Sequence, residues 1–350
     1  MREPPHAIAP GDRAPNFVLP DEAGVFRMFY ERAKGRPIAL LFFPGRRKGR
    51  AWKEAKAFAA AAGAFADAGI DVFAVAPADA GENARLGFPF LVWSDPKQAI
   101  TRGYLDGAGL APDPDRAVAF LLDANQRVLS VLAGEKLASR ALAAYRARPD
   151  WGPARRVATG APILLIPEVL DRAACRELID LWENDNHEEG TVVSVLDGKH
   201  VDRVHHAVKK RLDHRIMDPE INRALQHTIG RRIAPELEKA FYYEGFYFDR
   251  FYVVCYDSAR GDYFRPHRDN LTPSTADRRF AITVNLNAEE YEGGGLAFPE
   301  YGPESYTTGT GGAIVFSCSL IHEALPATRG RRFALLNFLR APKGATGRTR

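Results

Sequence analysis

A histidine and an aspartate lie two positions apart in the segment "GDYFRPHRDN", where His267 and Asp269 flank Arg268. On a β-strand, residues i and i+2 point to the same side, so this pair could hold one metal ion; on a helix the two side chains would diverge. One imidazole and one carboxylate are two of the three ligands of a mononuclear non-haem iron site. The spacing therefore predicts two of the three ligands of a metal site, provided that the segment is a strand.

The same spacing occurs a second time, at His200 and Asp202 in "GKHVDRVHH". His267 follows an aromatic-rich segment with strand character, whereas His200 lies in a charged segment without a clear strand pattern. We therefore predict a ligand pair at His267 and not at His200. The basic region that follows is predicted to be helical, and its histidines, which could line a substrate groove, are His205, His206, His214 and His227.

The letters His-Arg-Asp also begin the catalytic loop of protein kinases. That loop has an Asn five residues after its Asp, a position that Ser274 occupies here, and neither an Asp-Phe-Gly motif nor a Gly-rich phosphate loop accompanies it. Without these groups nothing would hold ATP, so the kinase interpretation is rejected.

A third metal ligand and an anion-binding group occur further along the chain. His322 follows the apolar segment "GAIVFSCS", and Arg332 lies ten residues further on, at the head of "RFALLNFLR". Two histidines and one carboxylate leave positions open on Fe(II) for a substrate and oxygen. The planar guanidinium of Arg332 could bind a carboxylate through two hydrogen bonds, as a keto-acid co-substrate would require.

These four residues, with "NLNAEEYEGGGLAFPEYGP" and "HEALPATRGRRFALLNFL", resemble the Fe(II)/2-oxoglutarate dioxygenases of the prolyl-4-hydroxylase type over residues 162–341. The resemblance implies a double-stranded β-helix (a jelly-roll or cupin-like fold) with flanking helices. It also implies Fe(II), 2-oxoglutarate and O2, with ascorbate as a candidate reductant, and hydroxylation of a C–H bond in a peptide, protein or small molecule with release of succinate and CO2. Related halogenases have a small residue in place of the carboxylate, so Asp269 favours a hydroxylase.

The resemblance also implies two more residues of the co-substrate pocket. In "FAITVNLN", Thr283 and Asn285 alternate with apolar residues and share one face. Asn285 falls where many prolyl hydroxylases have a tyrosine that helps to hold the far carboxylate of 2-oxoglutarate, and Tyr256 falls where family members often have a site-lining tyrosine, although Tyr256 is equally compatible with ordinary packing. Arg332 is chosen over Arg331 because it directly precedes "FALLNF"; Arg331 is expected to face away.

The first half of the chain follows a different pattern. Strands and helices alternate over residues 36–147, as in "RPIALLFFP", "AWKEAKAFAAAAGAFADAG" and "IDVFAVA", which is typical of an α/β domain. The segments "GDRAPNFVLPDEAG", "ALLFFP", "FPFLVWSDPKQAITRGYL" and "AVAFLLDANQRVLSV" resemble peroxiredoxins, which have a thioredoxin fold, over residues 10–147. That family has a reactive cysteine shortly after the "FFP" strand, at a helix N-terminus. Ala51 stands near that position, so we expect a catalytically degenerate domain.

The basic run at this predicted helix start consists of Arg46, Arg47, Lys48 and Arg50. It could bind an anion there, although a solvated loop is the simpler interpretation.

All three cysteines, Cys175, Cys255 and Cys318, lie beyond the peroxiredoxin-like region. Their odd number and wide spacing do not suit a disulfide framework, and Cys255 and Cys318 are predicted to pack in the core. A peroxiredoxin-like thiol-redox protein with an accessory β-barrel domain is the alternative function, and a binding module with a vestigial metal site is a third.

Length and composition set the domain organisation. A chain of 350 residues with 46% hydrophobic residues is long for one core. We assign residues 1–150 to the thioredoxin-like domain, 151–161 to a linker with Pro and Gly, and 162–345 to the dioxygenase domain. The first domain could serve stability, homodimer formation or substrate docking.

Charge and hydropathy bear on partners and location. A net charge of +4 gives no indication of nucleic-acid binding. The first residues lack the apolar core of a signal peptide, and no run of about 18 apolar residues occurs. We therefore expect a cytoplasmic protein without a membrane partner.

Overall fold

The computed structural model describes residues 7–44, 47–149, 152–154, 156–196 and 199–342; for residues 192–196 and 199–202 it describes the backbone alone. The chain divides into two compact units, and the division falls between Pro153 and Ala154. The limits of the linker stay a prediction. None of the helices in the described ranges is both long and apolar enough to cross a membrane.

The N-terminal unit is built on a five-stranded mixed sheet. The strands of this unit are β1 (Val18–Pro20), β2 (Phe26–Met28), β3 (Ile38–Phe42), β4 (Asp71–Ala76), β5 (Val92–Ser94), β6 (Val118–Leu122) and β7 (Val128–Ala133). Strands β3 to β7 form the five-stranded sheet, and β1 pairs with β2. The helices of this unit are α1 (Phe29–Arg32), α2 (Gly49–Ala60), α3 (Ala62–Asp67), α4 (Ala80–Ala84), α5 (Ala99–Gly107) and α6 (Leu137–Arg146).

The strand order of this sheet is β5-β4-β3-β6-β7, with β3 parallel to β4 and antiparallel to β6. Every residue of β3 is buried, because hydrophobic clusters cover both faces of the sheet; this explains why "IALLF" is a continuous apolar run. The predicted thioredoxin-like α/β fold is confirmed.

The C-terminal unit is mainly β-structure. Its strands are β8 (Leu164–Ile166), β9 (Glu188–Glu189), β10 (Thr191–Leu196), β11 (Lys199–Val204), β12 (Lys209–Lys210), β13 (Leu212–Arg215), β14 (Tyr247–Phe248), β15 (Tyr252–Asp257), β16 (Tyr263–His267), β17 (Arg278–Asn285), β18 (Glu292–Gly293), β19 (Leu296–Ala297), β20 (Ser305–Tyr306), β21 (Ala313–Ser317), β22 (His322–Ala324), β23 (Ala327–Arg329) and β24 (Arg331–Arg340). Its helices are α7 (Arg172–Asn184) and α8 (Pro219–Phe241).

Two antiparallel sheets form the body of this unit. The larger has the order β8-β21-β17-β24-β15-β13-β9, with β14 also paired to β24, and the smaller has the order β12-β16-β22-β19-β20. One hydrophobic cluster joins the sheets, through residues such as Ala281 and Ala334 from the larger and Leu296 and Ala324 from the smaller. The predicted jelly-roll fold is confirmed as a two-sheet arrangement without barrel closure.

Strand β17 shows how the sequence pattern positions the two faces of the larger sheet. Ile282 and Val284 pack into the cluster that contains the core residues of α7 and α8, whereas Ala281 belongs to the cluster between the sheets. This period-2 alternation means that Thr283 and Asn285 also face away from the helices. The predicted division of the strand into an apolar and a polar face is therefore correct.

The prediction of helix in the basic region before residue 217 is wrong. Its backbone forms β11, β12 and β13, and the helix α8 begins only at Pro219. Leu212 pairs with Cys255 of β15, which makes β13 part of the larger sheet. The charged residues misled the prediction because several of them are buried and neutralise one another, so the segment lacks the apolar alternation that marks a strand.

The reason for rejecting the second His-Asp pair is wrong as well. His200 and Asp202 lie on β11, which forms a two-stranded hairpin with β10. Both side chains lie outside the described part of the chain.

Candidate metal and co-substrate site

His267, Asp269 and His322 converge at the edge where β16 pairs with β22. His267 stands opposite His322 in the strand register, and Asp269 follows β16 by two residues. The Nε2 atoms of His267 and His322 each lie 3.4 Å from an oxygen of Asp269. All three ligand atoms lie within 4.8 Å of one another, and within the described ranges no other group of three such residues does so.

Backbone carbonyls fix which nitrogen of each imidazole faces the centre of the site. Nδ1 of His267 lies 2.8 Å from the carbonyl oxygen of Arg265, and Nδ1 of His322 lies 3.1 Å from that of Leu320. A carbonyl oxygen can only accept a hydrogen bond, so each Nδ1 donates its proton there, and Nε2 is the ring nitrogen that faces Asp269. This orientation leaves Nε2 of each ring as the atom that could bind a metal ion.

Packing and local electrostatics keep this ligand set ready for a cation. Phe264 stacks on His267 with ring centroids 3.5 Å apart, and Phe316 lies 4.5 Å from His322. Burial on its own would raise the pKa of Asp269, but His322 and His267 hold it below the ordinary value. Burial lowers the pKa of His322. One carboxylate and two imidazoles are the donor set of a 2-His-1-carboxylate Fe(II) site, so the residues present fit that metal.

A buried arginine lines the same cavity. Arg332 is 5% exposed, and β24 places it opposite Tyr256 of β15, whose ring centroid lies 5.3 Å from the guanidinium carbon. The guanidinium forms no hydrogen bond or ion pair with any residue that the structure describes. Arg331 points away, as expected, and its guanidinium contacts Glu183 at 2.6 Å near the surface. A buried guanidinium without a counter-ion is unfavourable, so this end of the cavity suits an anionic ligand.

Asn285 does not lie where the sequence analysis expected it. Its amide nitrogen donates to the hydroxyl of Tyr291 at 2.7 Å and to the carbonyl of Thr308 at 2.8 Å, and it is not among the residues that line the cavity. Thr283, two residues earlier on the same face of β17, lines the cavity instead. Its buried hydroxyl has no hydrogen-bond partner among the described residues. The face was correct, but β17 continues beyond the end of the cavity.

Sequence reasoning missed a buried ion-pair cluster beside this cavity, formed by Lys209, Arg211 and Asp213. Arg211 binds Asp213 through two hydrogen bonds of 2.6 and 3.2 Å, and Lys209 binds the same carboxylate at 2.8 Å. Arg211 lines the cavity together with Tyr256. The available signal was the alternation of charges at i, i+2 and i+4, the spacing at which side chains of an extended segment share one side; Arg211 lies between β12 and β13.

Among the residues that the structure describes at the start of α2 in the N-terminal unit, there is no comparable open position. Ala51 is buried in the first turn of α2. The backbone N–H of Arg50 donates to Asp115 at 2.7 Å, and its side chain donates to the same carboxylate at 3.1 Å. These contacts hold the pKa of Asp115 below its ordinary value, the hydrogen bond from the Arg50 backbone contributing most. The helix start at which the basic run could have bound an anion is thus taken by a carboxylate of the same unit; Arg46 of the basic run lies outside the described residues.

The three cysteines are free and buried. Burial raises the pKa of Cys175 and of Cys255 to about 12, and raises that of Cys318 as well. Reactive thiols need the opposite shift. The thiol-redox alternative therefore lacks both a cysteine in the N-terminal domain and an activated thiol elsewhere.

Comparison with known protein families assigns a class to each unit. Residues 251–340 match the family model of the 2OG-Fe(II) oxygenase superfamily, and residues 10–130 match that of the AhpC/TSA family. The chain thus carries a 2OG-Fe(II) oxygenase domain after an AhpC/TSA domain, which confirms both resemblances seen in the sequence. The oxygenase family implies Fe(II) and 2-oxoglutarate, in agreement with the His-Asp-His group.

Curated relatives match a limited part of the chain. Procollagen-lysine,2-oxoglutarate 5-dioxygenase 1 of Rattus norvegicus is 34% identical over 113 residues, which are 31% of this chain and 15% of the relative. The multifunctional procollagen lysine hydroxylase and glycosyltransferase of Caenorhabditis elegans is 30% identical over 112 residues, again 31% and 15%. The chain therefore spans about 15% of the length of these relatives.

Solved structures similar to the chain fall into two groups. The viral collagen prolyl hydroxylase vCPH of Paramecium Bursaria Chlorella virus-1 has a TM-score of 0.38 and 18% identity, covering 52% of this chain and 97% of its own. The peroxidoxin BcpB of Mycobacterium tuberculosis has a TM-score of 0.37 and 24% identity, covering 41% of this chain and 99% of its own.

Proposed function

We propose that the C-terminal unit is an Fe(II)- and 2-oxoglutarate-dependent dioxygenase that hydroxylates a C–H bond of a protein, peptide or small-molecule substrate and releases succinate and CO2. One observation carries the proposal: His267, Asp269 and His322 line one cavity together with the buried guanidinium of Arg332, which has no hydrogen bond or ion pair among the described residues. His267, Asp269 and His322 would hold Fe(II), and Arg332 would bind the far carboxylate of 2-oxoglutarate.

The roles of the protein groups follow from their positions. Fe(II), when bound, supplies the redox chemistry that couples decarboxylation of 2-oxoglutarate by O2 to hydroxylation of the substrate. Arg332 would fix the co-substrate at its far end, which orients the keto-acid end toward the metal ligands. Phe264, Phe316 and Leu336 line the same cavity and limit the access of water.

The relatives favour a macromolecular substrate. Two of them are named for procollagen lysine hydroxylation, so we place a protein or peptide substrate ahead of a small molecule. For the N-terminal unit we propose a supporting role, in stability, homodimer formation or substrate docking, because it has no cysteine and its helix start is occupied by Asp115.

The direct test uses the full chain. Calorimetry under anaerobic conditions should detect 2-oxoglutarate binding to protein loaded with Fe(II), and aerobic incubation with ascorbate should then release succinate. Mass spectrometry of a cell-extract peptide pool, incubated with the loaded protein, should find a gain of one oxygen in the substrate. Protein that binds Fe(II) but not 2-oxoglutarate would contradict the proposal.

A further inference from the structure

The guanidinium of Arg211 donates hydrogen bonds to two different side chains. One edge of its guanidinium, through Nε and Nη2, binds both oxygens of Asp213. Its Nη1 donates to the hydroxyl oxygen of Tyr256 at 2.6 Å. Arg211 is 6% exposed, so these contacts form away from water, where a hydrogen bond from a charged donor is strong.

The direction of this hydrogen bond decides where the Tyr256 proton can go. A guanidinium has no acceptor, so the phenol oxygen must accept from Arg211, and the phenol's own proton must point elsewhere. Among the described residues there is no acceptor for that proton. Tyr256 lines the cavity beside Arg332, so its O–H remains available to a ligand in the cavity.

Asp213 prevents Arg211 from binding a ligand carboxylate through two hydrogen bonds, as Arg332 could. The fork of Arg211 that matches a carboxylate is already filled by Asp213, and Lys209 donates to the same carboxylate at 2.8 Å. A two-bond contact with another carboxylate would require breaking that buried pair, which is strongly unfavourable. The two arginines of the cavity therefore have different tasks.

We propose that Arg211 is a positioning residue for the co-substrate: by donating to the Tyr256 oxygen, it directs the Tyr256 O–H toward the 2-oxoglutarate carboxylate that Arg332 holds. This inference rests on the proposed function. Arg211 also polarises the phenol, because hydrogen bonds in a chain strengthen one another at low dielectric. In this arrangement Tyr256 contacts the co-substrate directly, and the direction of its O–H depends on Arg211, which does not itself contact the co-substrate.

A double-mutant cycle tests the proposal by measuring 2-oxoglutarate affinity in the full chain loaded with Mn(II), so that no turnover occurs. Tyr256→Phe and Arg211→Met should each weaken binding about tenfold, the value of one hydrogen bond to a charged group. The double variant should be no weaker than Tyr256→Phe alone, since Arg211 acts through the phenol. Mn(II) affinity without 2-oxoglutarate should not change.

Two outcomes would overturn it: Arg211→Met weakens binding by the same factor with Phe at position 256, or it leaves the affinity of the wild-type background unchanged. Because Arg211→Met leaves Asp213 short of a partner, the cycle is repeated with Arg211→Met/Asp213→Asn, which removes one charge of each sign. Failure of the wild-type protein itself to bind 2-oxoglutarate would instead contradict the proposed function.

Discussion

At the start of α2 in the N-terminal unit, Arg50 contacts Asp115 through its backbone at 2.7 Å and through its side chain at 3.1 Å. In the C-terminal cavity, Arg332 has no carboxylate partner among the described residues. The Arg50 and Asp115 side chains are 65% and 43% exposed, whereas Arg332 is 5% exposed. Each region has a position suited to an anion, but the N-terminal unit fills it with its own side chain.

The difference separates a completed contact from a site that needs a ligand. An exposed ion pair contributes little to the free energy of unfolding and needs no additional partner. A buried guanidinium loses its hydration, and only hydrogen bonds or an ion pair with a partner compensate for that loss. The cavity around Arg332 is therefore incomplete without an anion. Chemistry is therefore expected in the C-terminal unit, and the following substitutions test that contrast.

The largest effect is expected from Asp269→Ala, which removes the carboxylate of the metal-ligand set. Fe(II)-dependent succinate release should fall at least ~100-fold, because even residues that only orient metal ligands can cost that much. His200→Ala, in the other His-Asp pair of the same spacing, is the matched control and should retain activity. Loss of activity in His200→Ala, with activity retained in Asp269→Ala, would mean that the wrong pair has been assigned.

Arg332→Ala should weaken 2-oxoglutarate binding about 100-fold, since two charge-assisted hydrogen bonds are lost. Arg332→Lys should be intermediate, because an ammonium keeps the charge without the two-bond geometry. Arg331→Ala serves as the neighbouring control and should change the dissociation constant less than twofold, as expected for an exposed pair. The dissociation constants for 2-oxoglutarate are measured by calorimetry with Mn(II)-loaded protein. Similar constants for Arg332→Ala and wild type would mean that Arg332 is not the anion-binding group of the cavity.

In the N-terminal unit, the comparison is tested by introducing a cysteine into α2 and measuring its thiol pKa with Asp115 present and with Asp115 removed. Ala51→Cys places a cysteine in the first turn of α2, where Asp115 already accepts a backbone hydrogen bond. Ala51→Cys/Asp115→Ala frees the helix start, so its thiol pKa should be lower by about one unit, as helix N-termini stabilise thiolates. Alkylation rates measured against pH report this pKa; a thiol insensitive to Asp115 would show that the carboxylate does not block the position.

The parts of the fold and site that the sequence predicted depend on regular periodicity. The alternation in β17 placed Ile282 and Thr283 on opposite faces, and one position in β24 separates the buried Arg332 from the exposed Arg331. His267 and His322 lie opposite each other because two strands pair there, which no local pattern reveals. Their convergence was inferred from the need for a third metal ligand and then from family resemblance, and their role as ligands stays a prediction.

The sequence did not predict the strands around residues 209–213, because the charged side chains of this segment are buried against one another. Lys209, Arg211 and Asp213 gave their segment the composition of a solvated helix, although the first two are nearly inaccessible. Hydrophobic periodicity cannot detect a strand whose inward side chains are ionic. Asn285 was misplaced for a different reason: alternation identifies the face of a strand but not where along it a cavity ends.

The smallest effect is expected at Thr283, whose buried hydroxyl lines the cavity without a partner among the described residues. Thr283→Val removes that hydroxyl at nearly constant volume. Without ligand, the variant should be slightly more stable, because an unsatisfied buried polar group is removed. With 2-oxoglutarate bound, it should lose one hydrogen bond, so the affinity should fall about threefold. Thermal unfolding of the Mn(II)-loaded protein, with and without 2-oxoglutarate, should show these opposite changes; a decrease in both states would place the Thr283 hydroxyl in structural packing and leave Arg332 and Tyr256 as the co-substrate contacts.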